Sequence, residues 1–465
     1  MKSSEPIRAS SKSSRSEKQR FALIAANIAA VVLVVLPVVT AFLFVHEFGV
    51  NLAFHDQQRI IPLFEKLYSG TLGFSDLFAQ HNEHRMFFPR IAMLALGSLT
   101  AYSNVAEMYF MQALMVVVLV VFWFAFRVDT RYKILLFAPV AFMLFTLRQY
   151  VSMLWGLVMA NIIAILFSVL SFCLLYVCRN GERLRWAFPA ALITGTVASF
   201  SFAQGLLVWP VGLIQLLLSS IGRKAKLILA SVWTTVGILE WFVYFVGFES
   251  TGKRPTVSYL LTDPVSAAEY FFSLAGGALF VNSDLAFFCG LGITGLAVVA
   301  LVMLYRYSEL NNYSFWLALL LFGISFLLIN TIGRAGEGVP GAPQPTPVTS
   351  RNATFSVLVV ISLYAIFARL AVSRYSPVLF GVLGAFISVI ALSIPVSYME
   401  GIRGGVTLEQ QRERLAYISY TYEDRSPQAL ERVFPSAEIV RSGASTLDEL
   451  DYNVFAPSRK PNPPS

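Results

Sequence analysis

The sequence predicts an all-α polytopic membrane protein with about eleven transmembrane helices. Three observations predict it. Mean hydropathy is +0.66, with 56% hydrophobic and only 13% charged residues. Apolar runs of nearly the length a helix needs to cross the hydrocarbon core recur along the chain. Basic residues gather at the ends of alternate runs, as membrane topology requires. The net charge of +8 therefore reads as orientation, and nucleic acid is not an expected partner. The 39 Phe are unusually many, and 7 Trp and 19 Tyr supply interfacial anchors. Cys173, Cys178 and Cys289 lie inside apolar runs, so neither a disulfide framework nor a zinc site is suggested.

Taken in order, residues 1–20 are Ser-rich and basic and read as a disordered cytoplasmic leader. The run Phe21 to Val45 is too long for a signal peptide and reads as a retained first span. Further spans are expected at 105–126, 134–150, 152–178, 187–203, 205–221, 227–248, 284–305, 313–331, 354–372 and 377–397. The run 86–103 is short and carries Pro89 and Arg90. Read as a helix lying in the interface, it leaves the cytoplasmic segments with 18 Lys and Arg against 9 in the opposite loops up to residue 397. Read as a span, it would destroy that bias. A transmembrane domain over 21–397 thus carries a first external loop, 46–104, and a Gly/Pro-rich outer loop, 331–353. A small extracytoplasmic segment, 398–465, follows, with short helices expected in "TLEQQRERLAYISY" and "SPQALERVF".

The first external loop is the richest in chemistry. All four histidines (His46, His55, His81, His84) fall in or beside it. Ile60, Leu63, Phe64, Leu67 and Tyr68 form an apolar stripe, opened or kinked by Pro62 and ended by Gly70. This amphipathic helix is expected to lie on the membrane surface, just after His55 and Asp56. Asp56 has three readings: catalytic base, ligand of a divalent cation, or helix N-cap. In "HNEHR", a helix would put His81 and His84 on one face. The cluster reads either as a site component or as a hydrogen-bonded knot, with Glu83 and Arg85 pairing locally. At outer turns, "LRQYVSMLWG" offers Arg148 and Gln149 beside Trp155 and Gly156, and "SFAQGLLVWP" offers Gln204 beside Trp209. The tryptophans read as interfacial anchors. Arg334 and Arg351 flank the Gly-rich loop, a pattern that suits a phosphate, lipid headgroups, or a salt link to Glu337. Glu240 is an intramembrane carboxylate and costly for that reason.

These pieces together resemble the GT-C superfamily of multi-pass membrane glycosyltransferases, specifically a bacterial branch carrying an HNEHR element. The resemblance rests on Asp56 followed by "SGTLGFSDLFAQHNEHRMFFPRI", on Gln149 to Gly156, on Ser201 to Gly212, and on "NTIGRAGEGVPGAPQPTPVTSRNA". The tail "SPQALERVFPSAEIVRSGASTLDELDYNVF" completes it. It implies a GT-C-like fold in the bacterial cytoplasmic membrane, N-terminus inside and C-terminus outside. It implies transfer of a sugar from a polyprenyl-phosphate carrier to a glycan, lipid or protein acceptor on the outer side. Asp56 would be the base or a metal ligand, with Mg or Mn as the candidate cation. Arg334 or Arg351 would face the phosphate. His55, His81, Glu83, His84, Arg85, Gln149 and Gln204 would bind substrate. Two departures stand out: the acids often paired in the first loop are here His55, Asp56 and Gln57, and the family's SRY is Ser350, Arg351 and Asn352. A flippase for a lipid-linked saccharide is the alternative, but it predicts midplane charges and repeat symmetry that the sequence does not carry. A non-catalytic assembly protein is a third reading, and it would tolerate loss of Asp56.

Overall fold

The computed structural model describes residues 6–249, 258–335, 347–461 and 463, with side chains from 24 and, after the second gap, from 260 onward. Apart from one two-strand hairpin, regular structure among the described residues is helical. The first helix is α1 (Pro6–Phe48). Residues 6–20 continue it, so this part of the expected leader is helix and not disordered chain.

The external loop follows with α2 (Ile61–Tyr68), α3 (Phe74–Phe78), the strands β1 (Gln80–His81) and β2 (His84–Arg85), and α4 (Phe87–Thr100). Pro62 opens α2 and Gly70 ends it at φ +72. Its apolar stripe does not rest on a membrane surface alone. Ile61, Leu63 and Phe64 are buried. Phe64 meets Tyr102 and Tyr452, so part of the cover comes from the chain's own C-terminal segment.

The bundle comprises α5 (Asn104–Ala125), α6 (Lys133–Leu144), α7 (Tyr150–Met153), α8 (Met159–Val177), α9 (Leu184–Ser199), α10 (Val208–Leu218) and α11 (Arg223–Phe245). It continues with α12 (Ser258–Thr262), α13 (Pro264–Gly276), α14 (Ser283–Arg306), α15 (Ser314–Arg334), α16 (Ser350–Arg374) and α17 (Pro377–Tyr420). Among the described residues, 9 helical stretches are long and apolar enough to cross a membrane. The chain is an all-α polytopic membrane protein. Two expected spans, 187–203 and 205–221, are instead the shorter α9 and the stretch Ala203–Leu218. Both still run between the same two ends. Ser220 N donates to Arg179 O at one end, and Phe88 N to Phe200 O at the other. The basic turns share the first end: Asn311 bonds Asn180 and Ser220, and Arg374 pairs with Glu309. The external loop, the C-terminal segment and residues 347–349 share the second. Sequence reading missed α13, which packs on α14 through Gly276 and Gly290.

The boundary expected at residue 397 is absent. α17 runs 44 residues without a break, or about 66 Å, twice the thickness of a hydrocarbon core. "TLEQQRERLAYISY" is therefore the end of a transmembrane helix and not a separate one. α17 passes close to its neighbours at Gly401, Gly404 and Gly405, against Leu147, Tyr150 and Phe48. The tail then forms α18 (Pro427–Leu430) and α19 (Ala437–Glu449). The buried Val440, Ala444 and Leu447 face inward, and Gly443 lies against Gln58 and Ile61 of the first loop.

A side chain at Gly401 would meet the Leu147 carbonyl oxygen at 2.8 Å, and that atom cannot retreat. Gly401→Leu is expected to destabilise the protein by about 1–3 kcal/mol, read as a lower unfolding midpoint in detergent. Gly381→Leu, where a Cβ meets nothing, serves as the control.

Candidate functional site

At the end shared by the loops, a cavity of about 440 Å³ is lined by residues from six regions of the chain. His84 comes from β2, Gln204 from the turn after α9, Arg334 from the end of α15, and Arg351 from the first turn of α16. The outer loop expected over 331–353 is thus narrower, since 331–334 and 350–353 are helical. Glu337, the expected salt-link partner, lies outside the described residues. Asn161, Tyr270, Asn330, Thr349 and Asn352 complete the polar lining.

Asp56 does not line the cavity but sits beside it. The charges acting on the Arg351 guanidinium are those of Arg334 and Asp56. The Arg351 guanidinium also lies over the Trp155 ring, 5.8 Å from its centroid. Trp155 in turn packs on Phe54 at 6.2 Å and donates from Nε1 to the Phe54 carbonyl at 3.4 Å. Trp155 is therefore more than an interfacial anchor: it joins the arginine to the segment that carries Asp56. Asp56 lies in a 3-10 turn, His55–Arg59, whose first residue is left-handed at φ 54. The Phe54 position that precedes this turn carries no side-chain cap, and Asp56 is not the N-cap of α2, which is Ile60. Asn82 Nδ2 donates to Asp56 Oδ2 at 3.1 Å and orients the carboxylate.

The HNEHR element is a β-hairpin and not a helical face. His81 pairs with His84 and Gln80 with Arg85 across a turn in which Asn82 takes φ 52. His84 stacks on Phe202 with ring centroids 3.7 Å apart, and its Nδ1 accepts from Ala203 N at 3.4 Å. His81 is buried behind the turn, near Asp56, Arg59 and Arg90. Burial holds its pKa down at about 4. Arg85 is a clamp. Its Nε donates to Tyr244 O at 2.6 Å, Nη1 to Phe78 O at 3.0 Å, and Nη2 to Val246 O, with the guanidinium over the Phe78 ring. Tyr244 closes the loop by donating to Glu83 O at 3.2 Å. The hairpin is thereby bound to the end of α11.

Four of the residues expected to bind substrate converge on the cavity: His84, Gln204, Arg334 and Arg351. His55 is exposed beside Phe54 and Phe434, while His81, Glu83 and Arg85 build the hairpin. Gln149 is placed elsewhere. It is buried, donates to Leu144 O at 3.1 Å, and lines a separate small void with Gln112 and Met111. Its neighbour Arg148 pairs with Glu400 at 3.0 Å and donates to Val348 O at 2.9 Å, tying α17 to the cavity rim. Glu240 accepts from Thr196 at 2.5 Å and from Trp209 Nε1 at 3.1 Å, a satisfied link between helices. No group of three metal-ligating side chains occurs among the described residues. Asp56 alone does not fit a divalent cation, and no step below depends on one.

A buried network that sequence reading missed supports Asp56. Glu107, fully buried at the start of α5, accepts from Gln57 Nε2 at 2.9 Å and from Asn104 Nδ2 at 2.8 Å. Asn453 of the tail donates to Asn104 Oδ1 and to Tyr102 O, each at 2.8 Å. The signal was available: a carboxylate within an apolar run is as costly at Glu107 as at Glu240.

No family model matches the chain, and no curated protein does. Among solved structures the chain is similar to ArnT from Cupriavidus metallidurans bound to undecaprenyl phosphate. The two share 14% identity over 92% of this chain and 78% of that one, with a TM-score of 0.42. A likeness of that order assigns neither a substrate nor a mechanism.

Two outcomes follow from these contacts. A Cβ at Gly156 would press on the Glu107 carboxylate and meet Gln57 Nε2 at 2.7 Å, so Gly156→Ala is expected to cost about 1–3 kcal/mol in thermal unfolding. His81, with an ordinary pKa of 6.5 lowered to about 4, binds a proton more readily unfolded than folded. Its contribution is fully present above pH 6.5 and is lost as pH falls toward 4, by up to about 3 kcal/mol. Unfolding midpoints measured from pH 7 to pH 4 are expected to fall more steeply for the wild type than for His81→Gln.

Proposed function

We propose that the chain is a membrane glycosyltransferase that moves a sugar from a polyprenyl-phosphate carrier to an acceptor on the outer side of the cytoplasmic membrane. One observation carries this reading: two guanidinium groups, Arg334 and Arg351, line one cavity beside a lone carboxylate, Asp56. Guanidinium groups suit a phosphate oxygen pair because their donors form a planar fork. The cavity opens at the end of the bundle whose loops, up to residue 397, carry fewer basic residues, the end expected outside by the charge bias. A donor whose lipid tail is soluble in the bilayer could reach it from the membrane. The N-terminus would then be cytoplasmic and the C-terminal segment extracytoplasmic.

In that reaction the sugar C1 to phosphate oxygen bond breaks, and its electron pair leaves with the polyprenyl phosphate. Arg334 and Arg351 stabilise the charge that develops there. The acceptor hydroxyl forms the new bond to C1 from the opposite face and gives its proton to Asp56. Asn82, by donating to one carboxylate oxygen, leaves the other directed to the acceptor. The acceptor and the sugar are named no further by this arrangement.

The reading is tested with the full chain in nanodiscs and polyprenyl phosphate as probe. Arg334→Ala and Arg351→Ala are each expected to weaken binding about tenfold or more. Unchanged binding in both variants would refute the phosphate assignment. Binding and movement of a lipid-linked saccharide across the bilayer without any transfer would favour the flippase instead.

A further inference from the structure

We infer that Arg412 is a positioning residue: from the outer extension of α17 it holds, through Phe54 and Trp155, the Arg351 guanidinium and the turn bearing Asp56 in one frame. The inference rests on the donor reading above and adds how one of its phosphate arginines is aimed. Arg412 lies 35 residues past Pro377, the start of α17, or about 50 Å along the helix. The hydrocarbon core takes about 30 Å, so the unbroken helix delivers this side chain well outside it. On the way α17 runs beside the 147–154 stretch, with Gly401 against Leu147 and Gly404 against Tyr150.

Arg412 is 3% exposed. Its Nη1 donates to Leu154 O, and its guanidinium lies over the Phe54 ring, 5.3 Å from the centroid. Among the described residues its Nε has no hydrogen-bond partner and no carboxylate pairs with it. Arg85, by contrast, finds three carbonyls, and Arg148 finds a carboxylate and a carbonyl. A cation withdrawn from water with one acceptor and one ring is costly. The two contacts it does make fall on the residues that frame the site. Leu154 closes α7, where a carbonyl lacks an intrahelical donor, and precedes Trp155. Phe54 precedes the turn that carries Asp56.

Neither aromatic ring is fixed by its own segment. Trp155 is a single extended residue, at φ −127 and ψ 108, between α7 and the 3-10 turn Gly156–Val158. Phe54 is likewise extended, at φ −93 and ψ 135. A guanidinium that grips the carbonyl before one ring and the face of the other sets the distance between them. The edge contact at 6.2 Å and the bond from Trp155 Nε1 to Phe54 O close the arrangement. Trp155 then offers its face to Arg351, 5.8 Å away, and Phe54 stands two residues from Asp56. Without Arg412, Trp155 loses its brace, and the arginine that lies on it loses its aim.

A double-mutant cycle tests this on the full chain in nanodiscs, with bare polyprenyl phosphate as probe. Arg412→Met removes the cation and its donors and is expected to weaken binding about tenfold. In an Arg351→Ala background the same substitution is expected to change binding less than about twofold, because the group it aims is gone. In an Arg334→Ala background the loss is expected to persist at about tenfold. Arg412→Lys keeps a cation over Phe54 and a donor for Leu154 O, and is expected to bind within about threefold of the wild type. Should Arg412→Met not fold, Phe54→Leu, which removes only the ring face, carries the same cycle. Equal weakening in both backgrounds marks a merely structural residue and overturns the inference. Wild-type affinity in Arg412→Met overturns it too, and in both cases the donor reading stands. If bare polyprenyl phosphate does not bind the wild type, the donor reading itself fails and this inference falls with it.

Discussion

A single fully buried carboxylate, that of Glu107, holds the outer end of this protein together. A charge removed from water must be answered by donors or it is expelled from the fold. One oxygen of Glu107, Oε2, is answered from the first loop by Gln57 and from its own helix by Asn104, and Asn104 is answered from the tail by Asn453. Gly156 must lack a side chain because the same carboxylate occupies the space beside it. Segments roughly 50, 100, 150 and 450 residues into the chain are therefore fixed to one another by one polar cluster. Gln57 is the residue after Asp56, so the position of the candidate base follows from that cluster.

The second constraint is the Arg85 clamp. Each of its three guanidinium nitrogens donates to a main-chain carbonyl, two of them at the end of α11. This sets a short hairpin rigidly against the bundle, although two paired residues per strand would not persist alone. From that hairpin His84 reaches the cavity and Asn82 reaches Asp56. Chemistry and scaffold thus alternate residue by residue within HNEHR. His81 and Arg85 build, while Asn82 and His84 present.

The all-helical membrane architecture was legible because hydropathy and the bias of basic residues act over whole helices and average out local error. Arg334 and Arg351 were legible as a pair because they bracket a Gly/Pro-rich connection at one end of the bundle. The hairpin was not, since His81 and His84 also sit at helical spacing and only the left-handed Asn82 decides between the two forms. The unbroken length of α17 was hidden because its second half is polar outside yet buries Arg412 and Leu415 against other segments. Gln149 was misplaced for a similar reason: a polar residue at an outer turn faces a cavity or a neighbouring helix with equal ease. The full lining of the cavity was not legible, because Asn161, Asn330 and Asn352 come to one cavity only in three dimensions.

The proposed reaction makes Asp56 the group that takes the acceptor proton, and Asp56→Asn tests this most directly. The amide keeps the size and the contact with Asn82 but has little basicity. Single-turnover transfer from a polyprenyl-phosphate sugar is expected to fall by about 100-fold or more, with donor binding unchanged. Transfer at the wild-type rate by well-folded Asp56→Asn protein would contradict the account.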